Sequence, residues 1–465
     1  MRYTAIALDY DGTIARDGLV PSRVMAGLNK LRASGRKLFL VTGRELNELL
    51  GLFRSIDIFD RVIAENGALL YNPTTGERRE LGEPPPEALV RALQAARIPL
   101  AIGHTILATV RPHETTVLQC IADLGLEQQV IFNKGAVMVL PPGCNKASGL
   151  KVALAELGLS PRNLVAAGDG ENDHALLELA EYSVATGNAV ATLRDAADRV
   201  TEATHGDGVL EIVSGLLASD LRELPPRRSR RALALGTDTQ GLPVLLPSFR
   251  SRLLIAGLPT ETNGITVALM RRLSRGGYQL CVVDRRGDYA LFRPGVAFGT
   301  ADNAPSTDEI MTALKTPDVQ VIASLASLAD EQARELTHRL LLLLQGLQTR
   351  TGRPHWTVLN EPQSMLTAER PAPVVADVAN MLLISEAPQA LSSDLLADVD
   401  VIASVGQNAE RLIGETIAAA GGKHPALPGK PLLRDEALVW FRDSPSSLLV
   451  VDTHSSEDTV KRSTG

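Results

Sequence analysis

Apolar and polar positions alternate between two rhythms in the first part of the chain. Compact apolar runs at residues 3–8, 37–41 and 62–71 are separated by stretches of helical spacing at 23–31 and 46–53. A strand exposed on one face would alternate every second residue. Unbroken apolar runs between amphipathic helices instead predict parallel strands covered on both faces. The rhythm resumes with a helix at 146–157, a strand at 164–167, a helix at 173–180, a strand at 182–185 and a helix at 209–217. Residues 83–142 read differently. Pro84-Pro85-Pro86 opens them, and a helix runs through Ala95. A strand follows at 106–110 and a helix at 114–124, and apolar pieces at 130–132 and 136–140 then flank Asn133-Lys134-Gly135. That last pattern signals a hairpin. The expected fold class is therefore α/β: a doubly wound parallel sheet interrupted by a small α/β insertion.

Beyond residue 217 the run from Arg222 to Arg231 is rich in Arg and Pro. It reads as a solvated linker, the other reading being a basic surface for an anionic partner. A second α/β rhythm runs from 245 to about 451, and the polar tail after it is expected to fray. The expected organisation is a core at 1–82 and 142–218, an insertion at 83–141, a linker at 219–233, a second domain at 234–452 and a tail at 453–465.

Composition agrees with several domains, because 465 residues exceed the roughly 250–300 at which one core stops growing. A hydrophobic fraction of 45% and a charged fraction of 22% are ordinary for a globular protein. A net charge of −7 argues against a dedicated nucleic-acid binder, which carries a basic excess. The three cysteines, Cys120, Cys144 and Cys281, are an odd number and cannot form a complete disulfide framework. A cytoplasmic protein is expected. The N-terminal apolar run is too short for a signal peptide. The run at 340–344 falls far short of the roughly 20 residues that span a bilayer, so no membrane association is expected.

The chemistry gathers at predicted strand ends. Asp9-Tyr10-Asp11-Gly12-Thr13 follows the first strand and Val41-Thr42-Gly43-Arg44 the second. Lys146 opens the helix after the insertion, and Gly168-Asp169-Gly170-Glu171-Asn172-Asp173 follows the strand at 164–167. Taken singly, the first is also a plain Asp/Gly turn, Thr42 a helix N-cap and Lys146 a solvated lysine. Together, at the carboxyl ends of parallel strands, they fit one phosphate-and-metal site.

The order DxDGT, TGR, Lys, GDGxND resembles the haloacid dehalogenase superfamily of phosphatases over about residues 1–216. The insertion resembles the type IIB cap of the Cof-like sugar phosphatases, as does Ala64-Glu65-Asn66-Gly67-Ala68. The resemblance implies that Asp9 is the nucleophile, forming an aspartyl-phosphate. Asp11 is then the acid and base. Asp9, Asp169 and the backbone carbonyl of Asp11 would hold Mg²⁺, with Asp173 supporting that site. Thr42, Gly43 and Lys146 would bind phosphate, and Asn172 would orient Lys146 or Asp169. The small cap favours a small phosphorylated metabolite, a sugar phosphate or a phosphoglycolate-like compound. His104, Arg111 and Lys134 on the cap are either substrate contacts or solvated side chains.

In the second half, an apolar strand from Arg252 runs into Gly257-Leu-Pro-Thr-Glu-Thr-Asn263-Gly264-Ile265-Thr266, with a helix expected at 267–273. This has the context of a P-loop, yet Ile265 stands where the phosphate-binding Lys belongs. Later, a strand ends in Asn360-Glu361. The order resembles HerA/FtsK-type ATPases, in which Asp is expected at the position of Asn360. The two departures imply a pseudo-ATPase that regulates the phosphatase or assembles it as a homo-oligomer. The alternatives are a nucleic-acid-associated ATPase or scaffold with an accessory phosphatase, and a phosphotransferase or phosphomutase.

Overall fold

Ala5–Asp9 form strand β1, buried along its whole length. In this computed structural model it lies between two parallel neighbours, β2 (Lys37–Val41) and β10 (Leu164–Gly168). The structure describes residues 1–227, 230–246, 251–366, 380–422, 429, 432–444 and 448–453. By its contacts the chain divides into two units, Met1–Arg230 and Arg231–Gly465.

In the first unit β3 is Arg61–Ala64, β4 Leu69–Tyr71, β5 Arg78–Glu80, β11 Tyr182–Ala185 and β12 Arg199–Val200. The sheet runs β12-β11-β10-β1-β2-β3-β4-β5 and is parallel from β12 to β3. The chain leaves β1 towards β2 and returns on its other side at β10. The carboxyl end of β1 is therefore the switch point at which an open α/β sheet forms its crevice. The insertion builds a separate antiparallel sheet, β6-β7-β9-β8. Its strands are β6 (Ala101–Ile102), β7 (Leu107–Val110), β8 (Gln129–Asn133) and β9 (Ala136–Leu140); helix Glu87–Ala95 precedes β6, and helix Glu114–Asp123 connects β7 to β8.

Three sequence expectations change here. The apolar stretch 62–71 is not one strand. Glu65, Asn66 and Gly67 take φ values of 52°, 52° and 102°, which turn the chain back so that β4 pairs antiparallel with β3. The helix expected at 173–180 begins as a 3₁₀ turn, Glu171–Asp173, before helix His174–Leu179. The segment read as a solvated linker is anchored. Leu221 is buried, Leu224 packs against the core, and Arg230 pairs with Asp198 at 2.8 Å and Glu178 at 3.3 Å. Arg228 and Ser229 lie outside the described residues, as does the tail from residue 454.

The second unit has parallel strands in the order β21-β15-β20-β19-β16-β18-β17, extended by antiparallel β22, β23, β13 and β14. These are β13 (Leu233–Thr237), β14 (Pro243–Leu246), β15 (Arg252–Ala256), β16 (Leu280–Asp284), β17 (Gly295–Phe298), β18 (Gln320–Ser324), β19 (Trp356–Asn360), β20 (Met381–Ser385), β21 (Val401–Val405), β22 (Glu436–Phe441) and β23 (Leu448–Asp452). The helix after β15 spans Pro259–Arg275, so it begins well before residue 267. Asn263, Gly264 and Thr266 consequently lie inside a helix, and the expected nucleotide loop shrinks to Gly257-Leu258. Pro259 presets helical φ at the first position, and the Glu261 carboxylate accepts from Leu258 N at 3.1 Å. The apolar run at 340–344 belongs to helix Asp330–Thr351, which buries Leu340, Leu341 and Leu344. Among the described residues no helix is long and apolar enough to cross a membrane.

Candidate active site

Four chain segments meet at the carboxyl end of β1. Asp9 is its last residue and only 5% exposed. Lys146, the first residue of helix Lys146–Glu156, donates from Nζ to Asp9 Oδ1 and to Asp173 Oδ1, both at 2.6 Å. Asn145 caps that helix by accepting from Ser148 N, which fixes where Lys146 projects. The second oxygen of Asp173 accepts from the backbone N–H groups of Asp169 and Gly170, each at 2.9 Å. Asp173 therefore positions both Lys146 and the loop that carries Asp169.

Burial dominates the electrostatics. It pushes the Asp9 carboxyl up to about 8, with Asp173 acting the same way and Lys146 opposing. Burial alone would lower the Lys146 ammonium, but Asp173 and Asp9 together outweigh it and hold the group above the ordinary lysine range. Burial also raises Asp169, against the pull of Lys134. A buried ammonium shared by two carboxylates keeps its charge where a phosphate would need it.

Carboxylate atoms of Asp9, Asp169 and Asp173 lie within 4.8 Å of one another, all three residues buried, and could hold a metal ion. A cationic group already stands beside this cluster. The Lys134 ammonium donates to Asp169 Oδ2 at 2.6 Å and to the backbone carbonyl of Asp11 at 3.1 Å. Those oxygens belong to two of the groups expected to bind a cation. Room for it comes from Gly12 (φ 89°), where a Cβ would collide with both Asp169 Oδ2 and Lys134 Nζ. Thr13 Oγ1 donates to Asp169 Oδ1 at 3.2 Å, and Asn188 Nδ2 to Oδ2 at 3.0 Å. An all-oxygen donor set of this kind suits a hard divalent cation.

The other expected residues behave less simply. The Asp11 carboxylate is gripped on both oxygens by Arg44, at 2.6 Å and 2.7 Å. Arg44 also binds Glu48. Thr42 is buried, but it is not the N-cap. Glu45 caps helix Leu46–Leu52, while Thr42 Oγ1 accepts from Arg44 N at 3.1 Å. Asn172 bonds to neither Lys146 nor Asp169. Its amide donates to Asn66 Oδ1 at 2.8 Å, and Asn66 N in turn donates to the Thr42 carbonyl. Gly43 leaves space for this pair, since a Cβ there would crowd Asn66 and Asn172. On the cap, His104 lies near Arg78 and Glu80, and Arg111 stacks over Phe132.

Sequence reasoning assigned no role to Arg44, Asn66, Asn188 or Glu65. Buried Glu65 accepts from His104 N, Thr105 N and Thr105 Oγ1 at 3.0, 2.7 and 2.8 Å, joining the core to the cap. Arg44 and Asn66 stand inside motifs already noted. Asn188 had only a weak signal, a Gly-Asn pair just past the strand at 182–185.

In the second unit, residues at the strand ends are bonded to one another. Asn360 Nδ2 donates to Asp284 Oδ1 at 2.9 Å and Asp288 Oδ2 at 3.1 Å. Arg286 reaches Glu386 at 3.1 Å and Glu361 at 3.9 Å, and Tyr289 Oη donates to Asn263 at 3.0 Å.

Known proteins match the first unit of the chain. Residues 6–102 and 129–213 match the haloacid dehalogenase-like hydrolase family. A phosphoglycolate phosphatase from Natronomonas pharaonis is 36% identical over 218 residues, covering 44% of this chain and 94% of its own length. One from Methanothermobacter thermautotrophicus is 31% identical over 221 residues, 45% of this chain and 96% of its own. A solved structure of a haloacid dehalogenase-like hydrolase from Bacteroides thetaiotaomicron is 21% identical with a TM-score of 0.41, covering 46% of this chain and 99% of its own. Through its first 220 or so residues the chain belongs to the haloacid dehalogenase-like hydrolases. It is a phosphatase, an enzyme that hydrolyses phosphomonoesters.

Proposed function

We propose that the chain hydrolyses a small phosphorylated metabolite through an aspartyl-phosphate on Asp9. The observation that carries this is Asp9 itself: a buried carboxylate ending the switch-point strand, held through Oδ1 by Lys146. Its other oxygen, Oδ2, would attack phosphorus. As that bond forms, the bond to the leaving oxygen breaks and Asp11 delivers a proton to it. Asp11 then takes a proton from water, which attacks phosphorus and releases Asp9 and phosphate. Asp11 can do so only after loosening from Arg44. Lys146, Thr42 and the backbone at Gly43 would bind the non-bridging oxygens, where charge spreads in the transition state. Asp9, Asp169 and the Asp11 carbonyl would hold Mg²⁺, supported by Asp173. When bound, that ion neutralises the charge between the carboxylate and the phosphate dianion.

A type IIB-like cap and the phosphoglycolate phosphatases among the relatives favour a small acid or sugar phosphate. A panel of such esters, assayed with Mg²⁺ and with EDTA, tests the proposal. Phosphate release from a phosphoglycolate-like or sugar ester, lost in EDTA, is expected, whereas metal-independent release would contradict it. The free cysteines suit a reducing cytoplasm.

The second unit is proposed to be a chemically silent, ATPase-like module that regulates the phosphatase or assembles it as a homo-oligomer. Two observations support silence. The Glu261 carboxylate occupies the helix N-terminus at which a phosphate would bind. Asn360, an amide, bridges Asp284 and Asp288, and Arg286 already lies 3.7 Å from Asp288.

A further inference from the structure

On the phosphatase reading just given, we propose that Lys134 is a latch. Its ammonium takes the cation's place and holds the cap hairpin down, and a divalent cation releases it. Lys134 stands at the turn between β8 and β9, with φ 47°, followed by Gly135 at 88°. From there it reaches across to Asp169 Oδ2 and the Asp11 carbonyl. The Lys134 side chain is 44% exposed, while that of Asp169 is 1% exposed. The contact thus covers a buried carboxylate from the solvent side with one positive charge. The ammonium sits on the lone pairs that a divalent cation would take from these two oxygens, and the repulsion of like charges at such range favours its departure.

A second observation, confined to the hairpin tip, points the same way. Asn133 Oδ1 and Asn172 Oδ1 are both buried without a hydrogen-bond partner. Both also border Gly170, since a Cβ on that residue would meet each of them. Two acceptors without a donor favour lifting the hairpin, which would return them to water. The Lys134 bonds oppose this. Once a cation claims Asp169 and the Asp11 carbonyl, that restraint is gone and the hairpin tip at Asn133-Lys134 lifts for substrate.

The test uses the full chain. Isothermal titration with Mg²⁺ compares wild type, Lys134→Met and Asp169→Asn, and hydrogen exchange follows residues 129–140. Lys134→Met is expected to bind Mg²⁺ about tenfold more tightly, because no ammonium has to be displaced from its charged partner. Its hairpin should exchange as fast without Mg²⁺ as the wild-type hairpin does with it. Equal or weaker binding by Lys134→Met, or a wild-type hairpin indifferent to Mg²⁺, overturns the latch alone. If wild type binds no Mg²⁺ that Asp169→Asn abolishes, the metal assignment falls as well.

Discussion

Lys146 Nζ lies 2.6 Å from Asp9 Oδ1, in a site where both side chains are buried. The same ammonium also neutralises Asp173, so a structural role adds to the chemical one proposed for it. Removing it leaves two carboxylates facing each other without a counter-charge. Lys146→Ala should lower kcat by roughly 10²–10³-fold, the usual loss for one preorganised donor to transition-state charge. It should also destabilise the fold by about 3–5 kcal/mol, as breaking a buried pair does. Steady-state assays and urea unfolding check both, and wild-type activity in this variant would mean Lys146 is misassigned.

Stability should depend on pH through Asp9. Burial holds its carboxyl at about 8 in the folded chain, against 3.8 ordinarily. A group that binds its proton more tightly when folded stabilises the protein at low pH. That contribution fades as pH climbs from the unfolded towards the folded value. In EDTA, wild type should therefore lose Tm relative to Asp9→Asn between about pH 5 and about pH 8. A difference that stays constant across this range would contradict the burial argument.

Glu65 joins the cap to the core through three hydrogen bonds to His104 and Thr105. Glu65→Ala leaves those buried donors unpaired and should cost about 2–3 kcal/mol. Hydrogen exchange across residues 101–110 should quicken in this variant. Unchanged protection there would show that the cap is held by its other contacts.

Much of this site was legible along the chain. Apolar runs with no alternation located the strands ending at Asp9, Val41 and Gly168, because a strand buried on both faces has no polar positions to break the run. Asp9 and Asp169 followed from those strand ends, and Lys146 from its place at the start of the helix after the insertion. What remained hidden depends on side chains far apart in sequence. Lys134 reaches the Asp11 carbonyl across 123 positions, Asn172 reaches Asn66 across 106, and no local pattern encodes either contact. The misplaced helix start after β15 is different. Gly257-Leu258-Pro259 already carried the signal of a Pro at the first helical position, but the P-loop-like spacing drew the boundary past it.

The second unit should turn over no ATP, with or without DNA, and measurable turnover would overturn the assignment of a silent module. Asn360→Asp adds a third carboxylate beside Asp284 and Asp288. It should lower Tm in EDTA and recover part of the loss in Mg²⁺. A Tm unaffected by the substitution would mean that the amide bridge contributes nothing.

The most direct test of the central claim is to look for the phosphoryl group on Asp9. Acid-quenched turnover of an accepted phosphomonoester, followed by peptide mass spectrometry, should find the peptide containing Asp9 heavier by one phosphoryl group. Asp9→Asn should remain folded, form no such adduct and retain essentially no activity. More than a few per cent of wild-type activity in Asp9→Asn, or an adduct on another residue, would contradict the assignment of Asp9 as nucleophile.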